Sequence, residues 1–214
     1  MKNSFSIRRL THQLNRLKQK FNGNPILQSY ERQQEKFHNK YPHYSLGVGT
    51  YGIPTIYSSD PITTLSIGAY CSIASGVQIF LGNHHRTDWV SSYPFPAFFQ
   101  EASHIRDFEI TRGNVNIGND VWLCADCTIL SGVSVGHGAV IGTGSIVTRD
   151  VEPYAIVAGN PAQTVRFRFD EKTRLALLEI AWWNWSLDEI RQNVDILCSD
   201  QIDRLMTYAK GRKN

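Results

Sequence analysis

The sequence predicts an all-β solenoid, a parallel β-helix built from six-residue blocks, and three observations carry that prediction. Residues Ile117 to Glu152 divide into IGNDVW, LCADCT, ILSGVS, VGHGAV, IGTGSI and VTRDVE, and the first place of every block is aliphatic: Ile117, Leu123, Ile129, Val135, Ile141 and Val147. The fifth place is held by small residues, Val121, Cys127, Val133, Ala139, Ser145 and Val151, which fit beside the larger first-place residue inside a narrow prism. The same period runs earlier, in IGAYCS and IASGVQ from Ile67 and Ile73, with a further block opening at Ile79 and with Cys71 and Val77 in fifth place. A period of six loses phase against a 3.6-residue helix within two blocks and does not alternate as a two-sided strand does. Three blocks make one three-sided coil. A single coil cannot bury its inner row, so the coils must stack. Gly118, Gly136 and Gly142, one place after the aliphatic residue, are expected at corners that demand positive φ.

The chain divides into an N-terminal helical extension (1–40), a coil domain (41–169) with an inserted loop (84–113), and a C-terminal helical cap (170–214). In the extension, Ile7, Leu10, Leu14, Leu17 and Phe21 recur at three- and four-residue steps among Arg8, Arg9, Arg16, Lys18 and Lys20, the pattern of an amphipathic helix that Asn22, Gly23, Asn24 and Pro25 end. It packs on the body or a partner, or makes weak contact with an anionic membrane surface. From Tyr41 to Ser66 short extended pieces and turns lead into the coils. At the block boundary after Ile79 the repeat fails: His85 stands where an aliphatic residue is due, inside GNHHRTDWVSSYPFPAFF, and the period does not return cleanly until Ile117. Some thirty residues thrown out of a rigid scaffold form a functional loop. Its Trp89, Tyr93, Phe95, Phe98 and Phe99 require cover from a ligand, a neighbouring subunit or the body. Beyond the coil, Asp170 caps a helix reaching about Trp182, and Ser186 with Glu189 makes a capping box for a second helix that runs on with a break near Ser199. Helices there cover sheet edges that would otherwise pair with other chains.

Composition narrows the function classes. A formal charge of +3 over 214 residues, spread over both ends, does not make a nucleic-acid-binding stripe. No apolar run is long enough to span a bilayer and no signal-peptide pattern opens the chain, so a cytoplasmic protein is expected. Cys124 and Cys127 form one CxxC without a second pair. The inward register explains Cys127, as it does Cys71, better than zinc does, and no metal is expected.

The blocks, the loop NHHRTDWVSSYPF, the run from Ile117 through GNPAQTVRFRF and the helical WWNWSLDEI together resemble the xenobiotic acetyltransferase branch of the left-handed β-helix acyltransferases over about residues 41 to 198. That branch includes hexapeptide-type chloramphenicol and streptogramin acetyltransferases and O-acetyltransferases of surface-polysaccharide clusters. The resemblance implies a left-handed coil, a homotrimer with active sites between subunits, and acetyl-CoA as donor. It places the family's base histidine on His85, followed by Arg86 and Asp88, with Asp88 and His84 as supporting or orienting residues. Family members commonly have Asn where this chain has His84. The donor positions implied are Ala125, Gly142, Thr143, Thr148, Arg149, Pro161 and Arg166, and those facing the acceptor are Trp89, Tyr93, Phe95 and Trp122.

Acetyl transfer to a hydroxyl needs a base for the proton, donors for the oxyanion, and both substrates held together. Imidazole suits the first task, since with a reference pKa near 6.5 it is largely neutral at neutral pH. Direct transfer to a sugar hydroxyl on a surface glycan or its precursor is the expectation, with an antibiotic hydroxyl or an amino sugar as alternatives. Two readings of other kinds are a zinc hydratase, which needs His84, His85 and His137 to converge, and a non-catalytic solenoid.

Overall fold

The inward rows predict stacked strands, and the computed structural model, which describes residues 25–58, 62–82 and 84–212, builds them as three parallel faces of a prism. The first face stacks Ser45–Leu46, Leu65–Ile67, Val115–Ile117 and Ser134–Val135. The second stacks Ser72–Ile73, Trp122–Leu123, Val140–Ile141 and Ala155–Gly159, with Ala162–Phe167 returning antiparallel against the last. The third stacks Thr55–Tyr57, Gln78–Phe80, Thr128–Ile129 and Ile146–Val147.

Register puts like on like. Ile67, Ile117 and Val135 form one inner column, Ile73, Leu123, Ile141 and Val157 a second, and Ile79, Ile129 and Val147 a third. Every one of these side chains is buried, and so are the fifth-place residues Cys71, Val77, Val121, Cys127, Val133, Ala139, Ser145 and Val151. Leu65 and Val115 continue the fifth-place row at the start of their blocks. Ile67 pairs with Ile117 as though the inserted loop were absent, so the scaffold closes underneath it. The lead-in already belongs to the prism: Leu46 pairs with Ile67, and Ile56 with Ile79.

The corners correct one expectation. Gly118, Gly136 and Gly142 do not have positive φ; that conformation falls two residues later, on Asp120, Gly138 and Gly144, and likewise on Tyr70, Gly76, Asp126, Gly132 and Tyr154. The left-handed turn there aims a backbone N–H at the neighbouring coil, as in Asp120 N to Ala69 O (2.9 Å), Gly138 N to Asn119 O (2.8 Å) and Tyr154 N to His137 O (2.8 Å). The second-place glycines serve close approach instead. A Cβ on Gly118 would lie 2.7 Å from His137 N, and one on Gly136 2.4 Å from Pro153 N.

Both ends of the prism are covered. The helix Pro25–Lys40 lies on the first coil, where Phe37 is fully buried and the side chains of Gln33 and Gln34 bond the backbone of Gly52 and Thr50. The amphipathic segment expected over residues 1–22 lies outside the described residues. At the other end Asp170 caps Glu171–Ile180 by accepting from Thr173 N (2.7 Å), and Ser186 caps Leu187–Gln192 by accepting from Glu189 N (3.2 Å). The first helix stops at Ile180 because Ala181 takes a left-handed φ of 43°. The segment after Ser186 is three helices rather than two, because a break at Asn193 precedes the one around Ser199. Among the described residues no helix is long and apolar enough to cross a membrane. Phe37→Ala, which empties the seat of the first helix, is expected to cost about 3–5 kcal/mol. A lowered urea midpoint at unchanged slope would register that loss; an unchanged midpoint would mean the helix does not stabilise the coil.

Candidate active site

The interrupted repeat leaves the prism at the corner between the third and first faces. There His84–His85 pairs antiparallel with Glu109–Ile110, His84 opposite Ile110 and His85 opposite Glu109, to make a short ribbon. Alternation along an extended strand sends the two imidazoles to opposite sides. His84 turns back onto the coil, its Nε2 2.8 Å from the hydroxyl of Ser131, a residue 2 % exposed, and that hydroxyl also accepts the Arg112 N–H (3.1 Å). His85 turns outward, and its Nδ1 lies 2.8 Å from the carbonyl oxygen of Ser92. A carbonyl only accepts, so Nδ1 carries the proton, and in the neutral ring Nε2 keeps its lone pair.

Asp88 is committed elsewhere. Its carboxylate takes a two-point hydrogen bond from Arg86, with Nε to Oδ1 at 2.7 Å, and this holds it well below the usual carboxylate range, at about 2. The Arg86 guanidinium in turn lies 5.2 Å from the Trp89 ring centroid. Asp88 therefore stiffens the turn after the ribbon, and the group that orients His85 is the Ser92 carbonyl. Burial, followed by the Arg112 guanidinium, pushes His84 below the ordinary histidine value, so it stays neutral at neutral pH.

Beyond the ribbon the loop folds on itself. Tyr93 packs edge-on to Phe95 (4.9 Å between centroids), and Phe95 lies 5.2 Å from Phe99. Asp88, Trp89, Val90, Tyr93, Phe95 and Ile105 are among the residues lining a hollow of about 470 Å³ whose wall is predominantly apolar. The Ser92 carbonyl that holds His85 belongs to the segment lining this hollow. Trp89, Tyr93 and Phe95 thus come together on one hollow. Trp122 does not join them, for it stands half-exposed on the second face.

The expected donor positions fall on two edges. Thr148 and Arg149 lie at the corner from which the loop leaves, stacked next to the turn that holds Ser131. Ala125, Gly142 and Thr143 lie at the next corner, between the second and third faces, where Gly144 N bonds Ala125 O (2.9 Å). Pro161, after a cis bond to Asn160, and Arg166 are exposed on the hairpin that extends the second face past Gly142. One prism thus holds the expected donor positions on separate edges, Thr148 and Arg149 on the edge that carries the loop and Ala125, Gly142 and Thr143 on another.

The other histidine and cysteine candidates resolve geometrically. His137 sits at the first corner, its Nδ1 accepting from Asn119 N (2.8 Å) and its ring stacked 4.9 Å from that of Trp183, so the three imidazoles do not converge. Among the described residues no group of three or more His, Cys, Asp or Glu could hold a metal. Cys124 and Cys127 are free buried thiols; burial pushes Cys127 up to about 12 and Cys71 up to about 11. Ser92 and Ser131 were missed by sequence reasoning. The first acts through its backbone, which no residue type advertises, and the second stands in a block place that other blocks fill with Asn, Ala, Ser, His, Thr and Arg.

Residues 114–149 match the family model for bacterial transferase hexapeptide repeats. The chain is 47% identical over 157 residues to a chloramphenicol acetyltransferase of Klebsiella aerogenes, covering 70% of this chain and 73% of that one. It is 44% identical over 156 residues to a chloramphenicol acetyltransferase of Escherichia coli, covering 71% and 74%. A probable macrolide acetyltransferase of Lysinibacillus sphaericus is 35% identical over 187 residues, covering 85% and 97%. In fold the chain resembles a hexapeptide-repeat-containing acetyltransferase from Vibrio cholerae, with a TM-score of 0.51 at 21% identity over 78% of this chain and 96% of that one.

The neutral His85 ring is expected in the single tautomer protonated at Nδ1. Nitrogen-15 correlation spectra of histidine-labelled protein would read this directly, and an Nε2–H form would remove Ser92 as the orienting group.

Proposed function

The chain belongs to the hexapeptide-repeat acetyltransferase family, and from that premise we propose that it is an acetyl-CoA-dependent O-acetyltransferase in which His85 is the general base. The observation that carries the reading is the 2.8 Å contact from His85 Nδ1 to Ser92 O, which leaves Nε2 as the acceptor on the outward side of the ribbon. In the reaction the acceptor hydroxyl gives its proton to Nε2 as its oxygen attacks the thioester carbonyl. The tetrahedral oxyanion then collapses, the carbon–sulfur bond breaks, and the imidazolium returns the proton to the departing thiolate. No acyl-enzyme forms, so the work of the protein is to hold both substrates in line.

Two copies are needed to assemble this site. The His85 ribbon stands on one edge of the prism, and Ala125, Gly142 and Thr143, assigned to the pantetheine of acetyl-CoA, stand on another. The half-exposed Trp122 beside that second edge is assigned to the thiol end of the donor. Thr148, Arg149, Pro161 and Arg166 are assigned to its nucleotide end, where arginine suits phosphate. A left-handed homotrimer, the arrangement that the family resemblance implies, sets the loop of one chain across the groove of the next.

The acceptor we favour is an alcohol on a compact, largely apolar molecule of antibiotic type. The hollow beside the His85 segment is walled by Trp89, Val90, Tyr93, Phe95 and Ile105, and such a wall binds an aromatic or branched skeleton better than a polyhydroxyl one. The relatives named chloramphenicol acetyltransferases support the same choice over the surface-glycan hydroxyl expected from sequence.

A thiol-release assay with acetyl-CoA tests the proposal against chloramphenicol, a macrolide, a streptogramin and a panel of sugars. His85→Ala is expected to lower kcat about 10²- to 10⁴-fold on the accepted alcohol. Normal turnover by that variant would remove His85 as the base, and turnover confined to the sugars would return the acceptor to the glycan class.

A further inference from the structure

The chain carries a histidine pair in which the inner member faces the scaffold, and we propose that His84 is a positioning residue, a latch to buried Ser131 that sets the direction in which His85 presents its ring. The inference rests on His85 as the base and adds what aims it.

Among the described residues, polar contacts between ribbon and coil gather where the loop leaves and re-enters. Thr111 Oγ1 donates to Leu81 O (2.7 Å) and accepts from Gly113 N (3.0 Å), which closes the neck of the loop. Gly113 O accepts from Gly132 N (2.9 Å), which ties the returning strand to the next coil. Ser131, adjacent to Gly132, then reaches both strands, through Arg112 N on the returning one and His84 Nε2 on the outgoing one. On the outgoing strand His84 is thus the side chain that joins ribbon to scaffold, one residue from the base.

Ser131 Oγ accepts the Arg112 N–H, and when the His84 ring is neutral and protonated at Nδ1 its Nε2 accepts the Ser131 proton. Burial and the Arg112 guanidinium favour that neutral ring. Among the described residues the His84–Ser131 contact ties the outgoing strand's side chain to the coil, and it opposes rotation of the ribbon about its own axis. Rotation would swing His85 off Ser92 O and let Nδ1 and Nε2 exchange protonation. With His84 latched, the opposite face of the strand is fixed, and the Nδ1 contact to Ser92 is made by default.

His84→Gln, His84→Leu and Ser131→Ala in the full chain test the proposal through two readouts. Glutamine places its amide nitrogen and oxygen near where the ring Nε2 was, so it restores the hydrogen bond without the ring; leucine fills the space without it. The latch predicts that His84→Leu and Ser131→Ala give a mixture of His85 tautomers by nitrogen-15 spectroscopy, and that kcat falls about 10- to 100-fold. The KM for acetyl-CoA should stay at its wild-type value, as should the melting temperature of His84→Leu, whereas Ser131→Ala, which also takes the acceptor from the Arg112 N–H, should melt lower; His84→Gln should recover the single tautomer and most of kcat. A His84→Leu protein with the wild-type His85 tautomer would overturn the latch, as would one whose kcat falls only in step with its melting temperature. His85→Ala run alongside keeps the two readings apart: its normal turnover would sink the base assignment, while the tautomer spectra still decide the latch.

Discussion

The inward stacking of first-place aliphatic residues, coil upon coil, is the interaction on which everything else in this molecule rests. Ile73, Leu123, Ile141 and Val157 lie in register along the second face, and the other two faces carry equivalent columns. Each side chain covers its neighbours above and below, so no coil is stable alone and none can shift by one residue without turning its inner row outward. At about 25 cal/mol per Å² of apolar surface removed from water, that penalty fixes the register firmly. The helix Pro25–Lys40 and the C-terminal helices finish the argument at the two ends, where an open coil would present unpaired backbone.

A scaffold so determined tolerates an interruption at a corner and gives it a fixed base. The register Ile67 to Ile117 closes beneath the loop, and the loop's neck is sewn to Leu81, Ser131 and Gly132. The ribbon then divides its two histidines between scaffold and solvent. In the proposed reaction the outward one takes the proton, and the proposed latch holds the inward one. The aromatic cluster of the loop supplies a wall, and the three-fold shape of the prism keeps that wall away from the edge assigned to the acetyl donor.

How much of this was legible depended on whether side-chain size or backbone geometry carried the information. Size is written in the sequence: the aliphatic first place and small fifth place named the buried rows, and the failure of the rhythm at His85 located the loop. Local hydrogen-bonding chemistry was legible too, at Asp170 and Ser186. Backbone conformation was less so. Glycine at Gly118 and Gly136 suggested left-handed turns, but the space beneath those residues, and not their φ, excludes a side chain, while Tyr70, Asp120 and Tyr154 take the left-handed angle without being glycine. Spacing left Asp88 either to orient His85 or only to cap the loop, and Arg86, two residues away, engages it in a two-point pair. The orienting group is a carbonyl, and every residue has one.

The central claim is that catalysis needs the ribbon of one chain and the groove of another, and mixing two inactive variants tests it most directly. His85→Ala lacks the base and keeps the groove, whereas Thr143→Trp keeps the base and fills the groove. Co-expressed and purified together, they should regain about a quarter of wild-type activity, since in a random closed trimer that fraction of shared sites pairs an intact ribbon with an intact groove. Mixed oligomers no more active than the two variants measured separately would place both halves of the site on a single chain and contradict the account.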